Sequence, residues 1–141
     1  MGGQLLLKPI EMTAFLDGRV EIEIFGMTPS ANVSWKYARG RPYSTPEHKA
    51  FIASLPGPPS CWVARSRPYG VVVDILVFRK GIRTCDTDNR IKPILDALQH
   101  CGWFDADEIV DDVSCKRRYK QPEFRTVIRI RPLLSHEQEI K

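Results

Sequence analysis

The chain has 141 residues, 43% hydrophobic and 27% charged, with a formal net charge of +4. That length is enough for one domain with a closed hydrophobic core and no disulfides, and the composition excludes a disordered or fibrous chain. Cys61, Cys85, Cys101 and Cys115 form no C-x-x-C pair, which disfavours a zinc site of ordinary spacing and reads as reduced thiols. The apolar patch Leu5-Leu6-Leu7 and the run at 71–78, broken by Asp74, are too short for a secretory signal or a membrane span. Met1-Gly2 begins like a myristoylation signal, but Leu6 stands where Ser or Thr is needed. A cytoplasmic protein without membrane contact is expected. The divisions expected are an N-terminal extension at 1–19, a folded domain at 20–132 and a charged tail at 133–141.

Val-Glu-Ile-Glu-Ile-Phe at 20–25 alternates with period two and predicts a half-buried strand. Residues 27–43 hold Pro29, Asn32, Gly40 and Pro42 and read as an irregular basic loop. Thr45 caps a short helix with Pro46 at its first position, and Pro56-Gly57-Pro58-Pro59 ends it. The run at 69–79, with Val71-Val72-Val73 and Ile75-Leu76-Val77-Phe78, is the strongest strand and is expected to be central. After it, Ile91, Ile94, Leu95 and Leu98 recur at helical spacing, an apolar stripe that should pack on the sheet. Pro93 requires that helix to start near Asn89 or Arg90, or its first turn to be distorted. Gly102 stops it, and Trp103 and Phe104 belong to the core. Strands follow at 109–119 and 125–130, with Gln121-Pro122-Glu123 as their turn. The order β-α-β-α-β-β predicts an α+β domain, a mixed sheet of about four strands with two helices packed on it.

Charge is unevenly distributed. Between Asp86 and Asp112 there are eight acids against two bases, a local charge of −6 that leaves +10 for the remainder. Carboxylates concentrated this way repel one another unless a cation or a basic neighbour compensates. Asp86 and Asp88 fall at the strand-to-helix junction, and a third acid from 105–112 would complete a set of hard oxygen ligands for Mg²⁺ or Mn²⁺. Such an ion activates water and stabilises charge on a phosphate, while Lys92, one turn beyond Asp88, can hold a phosphate oxygen. The basic groups cluster at Lys36, Arg39 and Arg41, at Arg65 and Arg67, at Arg79, Lys80 and Arg83, and at Lys116, Arg117, Arg118 and Lys120, as suits a polyanionic partner. Each feature also has a plainer explanation. Asp86 or Asp88 can cap the helix, Lys92 can pair with Asp88 or Asp96 along it, and the acids of 105–112 can pair across strands with residues 116–118. His48, His100 and His136 have no evident catalytic partners and read as structural or exposed.

The run Asp86-x-Asp88-Asn89-x-x-Lys92-x-x-x-Asp96-Ala97-Leu98, with Gly102, Asp107 and Val110 after it, resembles the signature of RusA-type crossover-junction endodeoxyribonucleases. Pro29-Ser30-Ala31-Asn32 and Arg39-Gly40-Arg41 resemble the family's Pro-Ser-Asn loop and the basic segment after it. The resemblance implies a homodimer that resolves Holliday junctions, in bacteria or their prophages, by paired symmetrical nicks with Mg²⁺ or Mn²⁺ and no nucleotide cofactor. It implies that Asp86, Asp88 and Asp107 are metal ligands, that Lys92 is the essential lysine, and that Asn89 and Asp96 support the site. The family usually shows adjacent acids where this chain reads Asp105-Ala106-Asp107, so a shifted register would nominate Asp105. Lys36, Arg39, Arg41, Arg83, Lys116, Arg117 and Arg118 are the expected DNA contacts. The alternative reading is a branched-DNA-binding protein without catalysis.

Overall fold

Strand formation follows the apolar pattern. In the computed structural model the described residues are 11–26, 28, 35–38, 41–44, 46–62, 70–81 and 88–133, with backbone alone for 35–38, 41–44, 88–90 and 107. Among these residues there are seven strands: β1 (Glu11–Ala14), β2 (Val20–Phe25), β3 (Trp35–Ala38), β4 (Arg41–Ser44), β5 (Val71–Phe78), β6 (Val110–Arg118) and β7 (Arg125–Pro132). Two α-helices, α1 (Pro46–Ser54) and α2 (Asp88–His100), and a 3-10 helix, Asp107–Ile109, complete the described elements. This is the expected α+β arrangement with two helices, and its main sheet is mixed, with five strands in the order β1-β2-β7-β5-β6. Two stretches differ from the sequence reading. Glu11–Ala14, in the stretch read as an extension, adds a strand to the sheet edge, and the stretch read as an irregular loop contains the antiparallel pair β3–β4.

The alternation in β2 places Val20, Ile22 and Ile24 in the core, at most 2% exposed, and turns Glu21 and Glu23 to the opposite face. In β5 the core residues are Val71, Val73, Ile75 and Val77, and in β7 Ile128 and Ile130. Both helices lie on this face. Phe51 and Leu55, and Ile94, Ala97 and Leu98 of α2, close the same cluster. Each large side chain removed from water in this way contributes roughly 1.5–3 kcal/mol.

β5 pairs with β6 on one side in parallel and with β7 on the other in antiparallel register, so it is interior, as its apolar content requires. β6 and β7 are therefore not a hairpin. A parallel partner needs a crossover, which α2 supplies, and β7 then takes the free edge of β5. Residues 119–124 cross the end of β5. There Gln121 N donates to Arg79 O at 2.8 Å, Lys120 N donates to Gly81 O at 3.2 Å, and Lys120 takes a φ of 58°.

α2 ends as its sequence predicts. Gly102 adopts a φ of 92°, its N–H donates to Gln99 O at 3.1 Å, and Trp103 N donates to Leu98 O at 3.0 Å, a Schellman cap. The chain turns directly into the core: Trp103 is 0% and Phe104 1% exposed. Trp103 Nε1 donates to Pro56 O at 2.9 Å, and Trp62 Nε1 donates to Trp103 O at 2.8 Å with the two rings edge to face. These bonds fix the C-terminal end of α2 against the chain that follows α1.

Candidate active site

The segment from β5 to β6 carries the acids. Asp86 lies outside the described residues. Asp88 is the first residue of α2 and Asn89 the second, both described by backbone alone. A carboxylate in a first helical turn meets free backbone N–H groups and the positive end of the helix, which favours its ionised form. The helix begins at Asp88 and takes the buried Pro93 into its second turn. Proline has no N–H, so the Asn89 carbonyl, four residues back, lacks its helical donor.

One turn on from Asp88, Lys92 is 66% exposed, and its Nζ lies 3.6 Å from Asp96 Oδ1. The helical pairing foreseen as the plainer role for Lys92 is thus present. It does not compete strongly with a ligand, because an exposed i,i+4 pair contributes only about 0.5 kcal/mol. A phosphate oxygen arriving at the amine can replace the carboxylate. The Asp96 side chain is only 21% exposed, and its Oδ2 is buried with no hydrogen-bond partner among the described residues.

Behind this helix stands His48, a residue that the sequence reading left without a role. It is 1% exposed on α1, and α1 packs on α2. Burial pushes its imidazole below the ordinary value of 6.5, the negative charge of Asp96 works in the opposite direction, and His100 adds to the lowering. No repeat, motif or spacing in the sequence marked it.

The remaining acids of the island are dispersed by the fold. Gln99 Nε2 donates to Asp105 O at 3.0 Å, which ties Asp105, itself exposed, to the far end of α2. Asp107, backbone alone, opens the 3-10 helix that leads into β6. Asp111 packs its carboxylate against Gly70, where a Cβ would otherwise sit. Asp111 and Asp112 share β6 with Lys116, Arg117 and Arg118, so the cross-strand pairing considered for them does not exist. A strand cannot pair with itself. The same register separates the expected basic cluster: Lys116 and Arg118 face the open side with Leu76 and Phe78, while Arg117 aligns with Val77 on the helical side.

Of the other expected DNA contacts, Lys36 and Arg41 are described by backbone alone, on β3 and β4, and Arg39 and Arg83 lie outside the described residues. The sequence reading overlooked the arginines that period two places on the open face of β7, at 125, 129 and 131. Two of these are committed to ion pairs: Arg125 Nη1 lies 3.1 Å from Glu23 Oε1 and Arg129 Nε lies 3.0 Å from Glu21 Oε2. Arg125 also covers the Phe78 ring at 4.3 Å. A depression of about 170 Å³ beside Arg19, Asp74 and Arg129 lies on this open face, on the other side of the sheet from α2. It has no part in the chemistry of Lys92.

Carboxylate oxygens are the hard donors that Mg²⁺ and Mn²⁺ take, and Asp86 with Asp88 beside an exposed lysine suits such an ion in donor chemistry. Among the described residues no three His, Cys, Asp or Glu side chains converge on a metal position. α2 separates Asp88 from its C-terminal end by 12 residues, about 18 Å at 1.5 Å per residue, and Asp105 and Asp107 follow that end.

Residues 64–131 match the family model of Endodeoxyribonuclease RusA. The match supports a RusA-type family. The RusA match spans β5, α2, the 3-10 helix, β6 and most of β7, and so contains Asp86, Asp88, Asn89, Lys92, Asp96, Asp105 and Asp107. β1 to β4 and α1, with His48, lie before it. The description of that family is of a DNA-cutting enzyme, which supports a nuclease activity. No curated protein matches the chain. No described helix is long and apolar enough to cross a membrane.

Proposed function

We propose that this protein is a homodimeric, Mg²⁺- or Mn²⁺-dependent endodeoxyribonuclease that resolves four-way DNA junctions by paired symmetrical nicks. The observation that carries the reading is the exposed Lys92 one turn beyond Asp88, within the RusA-matched crossover. Asp86 and Asp88 would hold the ion with Asp107 as the third acid and Asp105 beside it, and the ion when bound lowers the pKa of water and stabilises charge on phosphorus. Lys92 Nζ exchanges Asp96 for a phosphate oxygen and supports the charge that builds there as the bond to the leaving oxygen breaks. Asn89 and Asp96 keep the first turns of α2 in place. Lys36, Arg39, Arg41, Arg83, Lys116, Arg117 and Arg118 hold the DNA arms through their phosphates, with affinity that falls with salt.

With Asp88 at the start of α2 and Asp107 beyond its end, the third carboxylate at each site would come from the second copy. A two-fold axis then gives two equal sites, as symmetrical nicking of two strands requires.

The test is cleavage of a labelled synthetic four-way junction with Mg²⁺, with EDTA and Asp88→Asn as controls. Paired nicks that vanish in both controls are expected. Junction binding with no nicks under any condition would leave the non-catalytic DNA binder as the correct reading.

A further inference from the structure

We infer that the depression on the open face of the sheet, beside the turn between β1 and β2, is a binding site for an unstacked nucleotide of a DNA strand. The inference rests on the reading of this chain as a protein of branched DNA and adds a contact on the other side of the sheet from Lys92.

Register across four strands builds the site. Glu21 of β2 aligns with Arg129 of β7, Arg129 with Asp74 of β5, and Asp74 with Ser114 of β6, so these side chains form one row on the open face. Over Glu21, Arg129 and Asp74 lies a depression of about 170 Å³, bordered by Phe15 and Arg19 from the turn. One water needs roughly 10–15 Å³ of such space, so there is room for the ring of a base.

The two arginines are held in a way that suits a ligand. Arg19 Nε donates to Asp17 Oδ2 at 2.8 Å, and Arg129 Nε donates to Glu21 Oε2 at 3.0 Å. A carboxylate on Nε orients the guanidinium without occupying its terminal fork, and among the described residues the Nη groups of both arginines have no hydrogen-bond partner. Such a fork matches phosphate oxygens. Beside them the turn supplies a stacking surface. Phe15 N donates to Arg19 O at 2.8 Å and Gly18 N donates to Phe15 O at 3.1 Å, which closes the turn with the Arg19 guanidinium 4.5 Å over the Phe15 ring. A guanidinium plane braced on a ring is a platform for a base. Ser114 Oγ donates to Asp74 Oδ1 at 2.6 Å, and the second oxygen of Asp74 can accept from an N–H on the base edge.

The position suits the proposed chemistry. Val20, Ile130, Val73 and Val113 align across the sheet, so the depression shares the sheet end at which β6 follows Asp107. From β2 to β6 is three strand spacings, roughly 14 Å, which a DNA strand covers in about four base steps.

The experiment is fluorescence anisotropy on the full-length protein with Ca²⁺ in place of Mg²⁺. Two labelled single strands of equal length and charge are compared, oligo(dC) and the same backbone with abasic sugars. Wild type should bind oligo(dC) about tenfold more tightly. That preference should vanish in Arg19→Met, which keeps an apolar stem over Phe15, and Arg129→Met should weaken oligo(dC) binding about tenfold. Lys49→Met, a charge lost from the exposed side of α1, should change neither. Equal binding of the two strands by wild type, or wild-type behaviour of both folded arginine variants, would overturn the inference. So would loss of the dimer with DNA affinity intact in those variants, which would make the surface a contact between copies. Cleavage is not needed for this readout: a chain that cuts no junction but distinguishes the two strands keeps the nucleotide site and loses the nuclease reading alone.

Discussion

At the residue scale the lysine proposed to act on phosphate is defined by the weakness of its present bond. A lysine buried with a carboxylate would have to break a desolvated pair before it could meet phosphate, whereas Lys92 is two-thirds exposed and its contact with Asp96 is long. Its contribution should then be seen in chemistry and not in binding or stability. Lys92→Met is expected to lower single-turnover cleavage by roughly 100-fold, the loss typical of one oxyanion-stabilising donor. Junction affinity in Ca²⁺ and the melting temperature should stay near wild type. A large loss of affinity with normal turnover at saturation would make Lys92 a DNA-holding residue instead. The spacing of Lys92 and Asp96 in the sequence gave both their helical pairing and their candidate roles. His48 was not readable, because nothing local distinguishes a buried imidazole from an exposed one until α1 docks.

At the scale of elements, the α1–α2 contact encloses an ionisable group, and this makes folding pH-dependent. The folded His48 binds protons less readily than the unfolded chain, whose imidazole keeps its ordinary pKa of 6.5. Its stabilising effect is therefore complete above pH 6.5 and declines as pH falls through that value towards the lower folded one. Denaturant titrations should show unfolding free energy decreasing below pH 6.5, by at most about 1.4 kcal/mol per pH unit from this single group. The same series on His48→Leu should lose that contribution. If wild type and variant decline in parallel, the sensitivity belongs to other groups. Elements also differed in how well the sequence announced them. α2, with its apolar stripe and its Gly102 cap, was plain, and Pro93 displaced its expected start by only a residue or two. β1 was missed because an edge strand with all four residues exposed shows no apolar alternation.

For the whole molecule, the decisive quantity is the reach of α2. Because Asp88 starts the helix and Asp107 follows its far end, the proposed site is composite, and composite sites have a distinctive genetic behaviour. Asp88→Asn and Asp107→Asn homodimers should each be inactive. In a mixed dimer both substitutions fall on one of the two sites, so the other site is intact. Mixing the two variants after partial unfolding and refolding should restore nicking of one strand, to about a quarter of the total wild-type cutting for random exchange. No recovery in a mixture shown by mass spectrometry to contain heterodimers would place all three acids in one copy.

What the sequence determined by itself was everything carried by short-range pattern. The periodicity of 20–25, 71–78 and 91–98 specified strands and a helix, because burial of one face demands that spacing, and the acids and lysine of 86–107 are the residue types from which the proposed chemistry is drawn. Tertiary structure alone decided which elements meet. It inserted β5 between β6 and β7, because a parallel pair needs the crossover that α2 provides, and in doing so it split the basic cluster of 116–118 over two faces. It also buried His48 where α1 packs on α2. Such relations depend on packing between segments distant in the chain, and no local spacing encodes them.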